Sequence, residues 1–327
     1  MTCANIAVGR YTKFLIEPGA SPHTFDASSM AFELMPRGGS AEDIRKRVRL
    51  VGGQGITGLL YPLTTRKRFG GAYTYGSFAM AACPGDFERL LPYLVGAKDT
   101  GVFYPDDCPA SFGILIQRDL DVWEYKDCKV AKWELIGRAP EFRETDEPDL
   151  LLLRVWIIAE DEVTTTSWPS PAPTIPTGDT YYPYMIQDSD SAATPAGSFY
   201  INAEQREVYS FKLTYDNGLR VKYANSLTAQ GIISTGRKIT LNAELPWTAA
   251  NQDLYSMTYA GAAANIKFVY TVGAGTYSTL FSFTNFVAPP ESPFTHDENE
   301  ISFQITGRAY GTPTAKEMSV TNDVTSP

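Results

Sequence analysis

Short runs of alternating or continuous apolar residues recur along the chain, at RVRLV (47–51), ITGLLY (56–61), AYTYGSFAM (72–80), SFGILIQ (111–117), KVAKWELIG (129–137) and LLLLRVWIIA (150–159). Such runs, bounded by Gly, Pro and Asp clusters, predict β-strands with at least one buried face. AFELMP (31–36) predicts one more strand, and Ser40-Ala-Glu-Asp43 resembles a capping box that opens a brief helix toward Ile44. A different period appears after Pro84-Gly85-Asp86, where Phe87, Leu90, Leu91 and Leu94 fall on one helical face that ends near Gly96. In the second half VYSFKLTY and LRVKY flank Asp216-Asn217-Gly218, whose Asn-Gly accepts the positive φ of a tight hairpin turn. KITLNAEL (238–245), NIKFVYTV (265–272), TLFSFTNFV (279–287) and EISFQITGRAY (300–310) predict further strands, with a second short helix over 249–260.

Between these elements the pattern breaks in three places. Residues 1–30 show no clean periodicity and predict an irregular arm that finds order on a neighbouring subunit. Ser167 to Gly178 is too rich in proline for ladder or helix, so 161–180 reads as an extended linker that also reaches a neighbour. Residues 313–327 read as a loose polar tail. The predicted organisation is therefore an arm (1–30), a β domain (31–160), the linker (161–180), a second β domain (181–312) and the tail.

Composition agrees with a mainly β chain, because 19 Tyr and 17 Phe suit pleated surfaces while 26 Gly and 22 Pro punctuate them. At 327 residues the chain is long enough for two domains, each with its own core. The net charge of −9 argues against a protein that grips nucleic acid by neutralising phosphates. No apolar run approaches the ~18 residues of a membrane span, and MTCANIAVGRYTKF lacks the apolar core of a signal peptide, so a soluble cytosolic product without membrane insertion is expected. Cys3, Cys83, Cys108 and Cys128 are too scattered for a zinc or disulfide framework and read as free thiols.

Candidate chemistry is sparse. Gly53-Gln-Gly55-Ile-Thr-Gly58 matches a dinucleotide fingerprint by letter, but Pro62 follows where a helix should begin and no acidic residue stands about 20 positions on. A glycine-permitted bend is the better reading. The acidic loop Gln187-Asp188-Ser-Asp190 lacks the glycine and closing Glu of a calcium loop. Arg45-Lys46-Arg47 and Arg66-Lys67-Arg68 read as salt-bridged or solvated faces. His23 and His296 are badly placed for nucleophilic catalysis, and Trp123, Trp133, Trp156, Trp168 and Trp247 read as core or interface anchors rather than a sugar platform. No catalytic, cofactor or metal site is expected.

The two halves echo each other. Gly71-Ala-Tyr-Thr74 and Gly236-Arg-Lys-Ile-Thr240 each lead through a strand into a helix, and Trp133 to Ala139 parallels Phe303 to Ala309 around Gly137-Arg138 and Gly307-Arg308. This order of a YSFKLTYDNGLRV segment (209–221), a Gly-Arg-initiated STGRKITLNAEL strand (234–245), a short helix and closing strands resembles the tail tube proteins of long-tailed bacteriophages. The resemblance is clearest over roughly 180–312 and more general over 47–160. It implies tandem β-sandwich domains, each flanked by a short α-helix, that close into rings and stack into a hollow virion tube assembled in the host cytoplasm. It further implies a ring of three chains with pseudo-sixfold symmetry, or of six chains. The implied partners are a tape-measure protein, the tail terminator, baseplate or tip proteins, and DNA that passes without sequence-specific binding. An acidic wall suits such passage, since it repels phosphates within about 8 Å at physiological salt; Asp119, Asp121 and Glu124 are candidate lumenal residues. A β-sandwich carbohydrate- or receptor-binding tail component is the alternative.

Overall fold

The computed structural model describes residues 12–35, 42–52, 67–118, 121–138, 150–165, 167–181, 183–184, 197–201, 204–223, 229–249, 251–252, 262–272, 275–288, 294–297, 300–312 and 315–324. The first half contributes β1 (Thr12–Pro18), β2 (Met30–Phe32), β3 (Arg45–Gly52), β4 (Lys67–Ala81), helix α1 (Pro84–Leu94), the short β5 (Lys98–Asp99) and β6 (Val102–Phe103), β7 (Phe112–Arg118), β8 (Asp121–Arg138), β9 (Leu152–Ala159) and β10 (Asp161–Thr165). The second contributes β11 (Gly197–Ile201), β12 (Glu204–Arg206), β13 (Ser210–Asp216), β14 (Leu219–Val221), β15 (Ile232–Ser234), β16 (Lys238–Pro246), β17 (Ala262–Val272), β18 (Gly275–Val287), β19 (Phe294–Asp297), β20 (Glu300–Tyr310) and β21 (Met318–Asp323). The protein is mainly β, and among the described residues every strand pair is antiparallel.

The pairings of one half recur in the other. In the first, β2 lies beside β1, then β7, then β8, which is flanked by β9 and β10; β9 continues to β4 and β3. In the second, β12 lies beside β11, then β17, then β18, which is flanked by β20 and β21; β20 continues to β16 and β13. Irregularities recur as well. The β7–β8 ladder skips a residue between Phe112 and Ile114, and the β17–β18 ladder does so between Ala262 and Ala264. Past a bulge in β3, Leu50 lies opposite Phe69; past Asn217-Gly218, Leu219 lies opposite Ser234. Beyond the end of β4, Ala82 N donates to Leu151 O, just as Trp247 N donates to Ile301 O beyond the end of β16.

Burial explains the elements. In β4, Thr74, Gly76, Phe78 and Met80 face inward at every second position. Helix α1 starts with Pro84 at its first turn, buries Phe87, Leu90, Leu91 and Leu94 on one stripe, and ends where Gly96 takes φ +155°. One core runs through both halves, from Phe14, Phe78 and Trp133 to Tyr215, Phe281 and Ile305. β8 bends where Asp127 adopts φ +49°, held by Ser21 N donating to its Oδ1 at 2.8 Å. The first stretch of β8 thus pairs with β7 and β10, and the remainder turns away to pair with β9.

Several expectations need correction. Residues 12–18 are no irregular arm: β1 sits between β2 and β7, and Phe14, Leu15 and Ile16 are at most 2% exposed. Their unbroken apolar run is buried on both faces, which removes the alternation that usually announces a strand. The linker keeps its irregular course over 167–178, but 161–165 is strand β10 and 179–181 a 3-10 turn. The expected loose tail contains β21, which pairs with β18 and β6 and buries Met318, Val320 and Asn322. No tight hairpin forms at 216–218: β13 pairs with β8 and β16, and the arm turns back beyond Val221, where Lys222 N donates to Gly231 O. No helix opens at Glu42–Ile44, which lies extended against β4. The helix expected at 249–260 falls outside the described residues beyond Gln252, as do the strand 56–61 and the motif 53–58.

The sequence anchors of the repeat also shift. Thr74 is buried whereas Thr240 is half-exposed, and the capping bonds at Ala82 and Trp247 align Thr74 with Ile239 instead. Trp133 lies on β8, which occupies the place of β18, while Phe303 lies on β20, which occupies the place of β9.

Deleting residues 1–30 should therefore abolish folding rather than yield a soluble, assembly-deficient monomer. Far-UV circular dichroism and solubility of the truncated chain check this; a soluble product with native strand signal would contradict it.

Candidate assembly interface

The two halves meet edge to edge. β13 pairs with the far end of β8 over seven residues, from Ser210 opposite Arg138 to Asp216 opposite Lys132. Next to the Asp216–Lys132 end Trp133 and Tyr215 are directly opposite, fully buried and stacked with ring centroids 5.3 Å apart. The indole N–H of Trp133 donates to Leu94 O at 2.9 Å, tying the end of α1 to the junction. From its other end α1 reaches the second half: Phe87 packs edge-on against Phe281 at 5.8 Å, and Asn322 Nδ2 donates to Pro84 O and Glu88 Oε2.

Asn217-Gly218 serves this junction. β8 has a register shift against β9 between Val130 and Lys132, which leaves carbonyls there without ladder partners. The buried Asn217 supplies both missing donors, its backbone N–H to Ala131 O and its Nδ2 to Val130 O, each at 2.8 Å. Gly218 then takes φ +55° with its Cα against Gly236 O, where a Cβ would collide.

The outer face of the joined sheet is polar and mixed in sign. Glu134, 8% exposed, accepts from Lys132 at 2.7 Å and lies 3.6 Å from Lys212 across the junction. Lys132 and Arg154 both stand over the Trp156 ring at 4.7 Å. An open groove of about 290 Å³ crosses the junction between Ile136, Arg138, Lys212 and Glu244. Among the described residues no three His, Cys, Asp or Glu side chains gather as a metal site. Burial, reinforced by the charge of Asp86, pushes the Cys83 thiol well above its ordinary range, and burial does the same to Cys128.

The sequence candidates scatter across this framework. Asp121 and Glu124 sit on the near stretch of β8, opposite Arg118 and Leu115 and away from the junction; Asp119 lies outside the described residues, as does the loop 187–190. The basic cluster is engaged locally: Arg45 pairs with Asp43, Lys46 with Asp161 at 3.3 Å, and Arg47 stands over the Tyr75 ring. Arg66 is outside the described residues and Lys67 and Arg68 begin β4. The His23 ring packs against Gly113, and His296 lies in β19. Trp168 rests on the small outer cluster of Leu15 and Leu115, and Trp247 packs on Phe303. The junction itself was missed, because nothing in one strand's alternation names its neighbour.

A β-rich chain whose halves share one sheet and one core, and whose most ordered polar features knit strands together, belongs to the class of structural building blocks. A sequence profile described as phage tail tube protein matches residues 61–324, most of the chain, and the chain belongs to that family. It is thus a structural component of the virion tail that associates with itself into a tube and with other tail components. No curated protein matches it.

Asn217→Ala strips Val130 O of its buried partner and should lower stability by about 1–3 kcal/mol. Urea denaturation measures this, and an unchanged midpoint would contradict the role given to Asn217.

Proposed function

We propose that this chain closes into rings of three copies, that these rings stack into the hollow tail tube, and that each copy contributes two equivalent β units to a pseudo-sixfold wall. The carrying observation is that the strand order β2–β1–β7–β8–β9–β4–β3 recurs as β12–β11–β17–β18–β20–β16–β13, with the skip of the β7–β8 ladder repeated in β17–β18. Such a match of irregular features points to duplication, because a β-bulge has no reason to fall at the same place in two unrelated sandwiches. The first unit spans 12–165 and the second 197–323, so β1 and β10 join the first domain and β21 the second. Three chains then supply six units, and a head-to-tail contact whose rotation closes yields a ring whose flat faces can stack.

The tube surrounds a tape-measure protein during assembly, ends at terminator and baseplate or tip proteins, and conducts DNA into the host. A chain with net charge −9 favours a conduit that repels phosphates over one that holds them. The protein does this work by packing, without a catalytic step.

Native mass spectrometry of purified rings, with negative-stain microscopy of the same sample, tests the reading. Hollow particles of three 36.0 kDa chains are expected. Rings of six chains would reject the two-unit account and keep the tube; monomers under all conditions would reject both.

A further inference from the structure

Within the chain, β13 is an inner strand, paired with β16 on one side and β8 on the other, whereas its counterpart β3 pairs among the described residues only with β4. The counterpart of the far end of β8 is β19, since both flank equivalent strands: Ile136 lies opposite Leu152 of β9, and Phe294 opposite Ser302 of β20. The matched capping bonds at Ala82 and Trp247 align Leu152 with Ser302, and so Ile136 with Phe294. Among the described residues β19 pairs only with β20. One junction is thus made inside the chain, while both strands of a second, equivalent junction are left with an open edge.

We propose that the open edge of Glu42–Ile44, the extended segment that leads into β3, receives β19 of a second copy of this chain, antiparallel and in the register that β8 and β13 display. This rests on the two-unit reading above. The internal pair Phe211 with Gly137 translates into Glu42 opposite Thr295, and Lys212 with Ile136 into Asp43 opposite Phe294. Each copy carries one edge of each kind, so the contact is heterologous and repeats around a ring.

The edge of Glu42–Ile44 is oriented for this. Asp43 exchanges both backbone bonds with Ser77 of β4, so the backbone groups of its neighbours Glu42 and Ile44 point away from β4. In the single chain these outward groups are held by side chains that stand in for a strand. Glu42 Oε2 accepts from Ile44 N at 3.1 Å, Ile44 O accepts from Arg118 Nη2 at 2.9 Å and from the Tyr125 hydroxyl at 3.1 Å, and Glu162 Oε2 accepts from Lys46 N at 3.1 Å. Arg118 and Glu42 also form a paired ion bridge at 2.7 and 2.8 Å. An exposed strand edge recruits other chains indiscriminately, and charged side chains laid along it restrain that. The cover of Glu42, Glu162 and Arg118 keeps the edge closed until β19 of the correct partner displaces it.

The test is a cysteine pair, Asp43→Cys with Phe294→Cys, in a chain that also carries Cys3→Ser and Cys108→Ser. Directly opposite residues of a non-hydrogen-bonded antiparallel pair have Cα atoms about 4.5 Å apart, inside the range a disulfide bridges. Oxidised rings should run on a non-reducing denaturing gel as covalent trimers, and either single-cysteine chain alone should stay monomeric. Rings that assemble normally without cross-linking would overturn the pairing of Glu42–Ile44 with β19 while leaving the ring itself intact.

Discussion

The backbone ladder between β8 and β13 is the constraint on which the rest depends. It joins the strands of the two halves of the chain into one sheet, with Trp133 and Tyr215 stacked across the seam and α1 pinned to it through Leu94 O. Because β8 bends at Asp127, a single strand serves two sheets, and the seam is positioned by the same chain that closes the first core. Replacing Trp133 or Tyr215 would remove large buried rings and open the shared core, a change of about 3–5 kcal/mol. The halves are therefore unlike beads on a string: the first helix packs on strands of the second half, so neither core is complete alone.

An antiparallel sheet with one face packed and one face polar suits a wall. The outer face at the seam sets Lys132, Arg154 and Lys212 around the one carboxylate of Glu134, so these four groups are net cationic even though the chain as a whole is acidic. Family membership and fold together account for a protein whose ordered polar groups serve strand-to-strand cohesion. Differences between the halves fall where their surroundings differ. β3 is shielded by Glu42, Glu162 and Arg118, whereas β13 at the equivalent place has Phe211, Leu213 and Tyr215 buried against β8.

Much of the fold was legible in sequence. The strand over 300–310, the helix after Pro84 and the strand from Lys238 follow directly from periodicity, because their burial alternates or follows a helical stripe. One element buried on both faces was missed: Phe14, Leu15 and Ile16 make an apolar run of only three residues, shorter than the runs that announced β7 and β9. The tail did carry a signal, since Met318 and Val320 alternate with Ser319 and Thr321, yet six residues are too few to stand out. Asn-Gly misled because the same positive φ that makes a hairpin also makes a bulge, and only burial of Asn217 separates the two. The repeat was visible as a tendency, but matching letters put Thr74 on Thr240 when inward and outward positions require Ile239. The assembly seam lay beyond sequence reasoning because strand partners across a sheet are set by the fold as a whole.

A density map of the assembled tube, at a resolution that separates strands about 4.8 Å apart, tests the account most directly. It should show six nearly identical sheets around the lumen with strict threefold symmetry, the β8–β13 ladder intact within every chain. Six whole chains around one ring, or a gap where β8 meets β13, would contradict it.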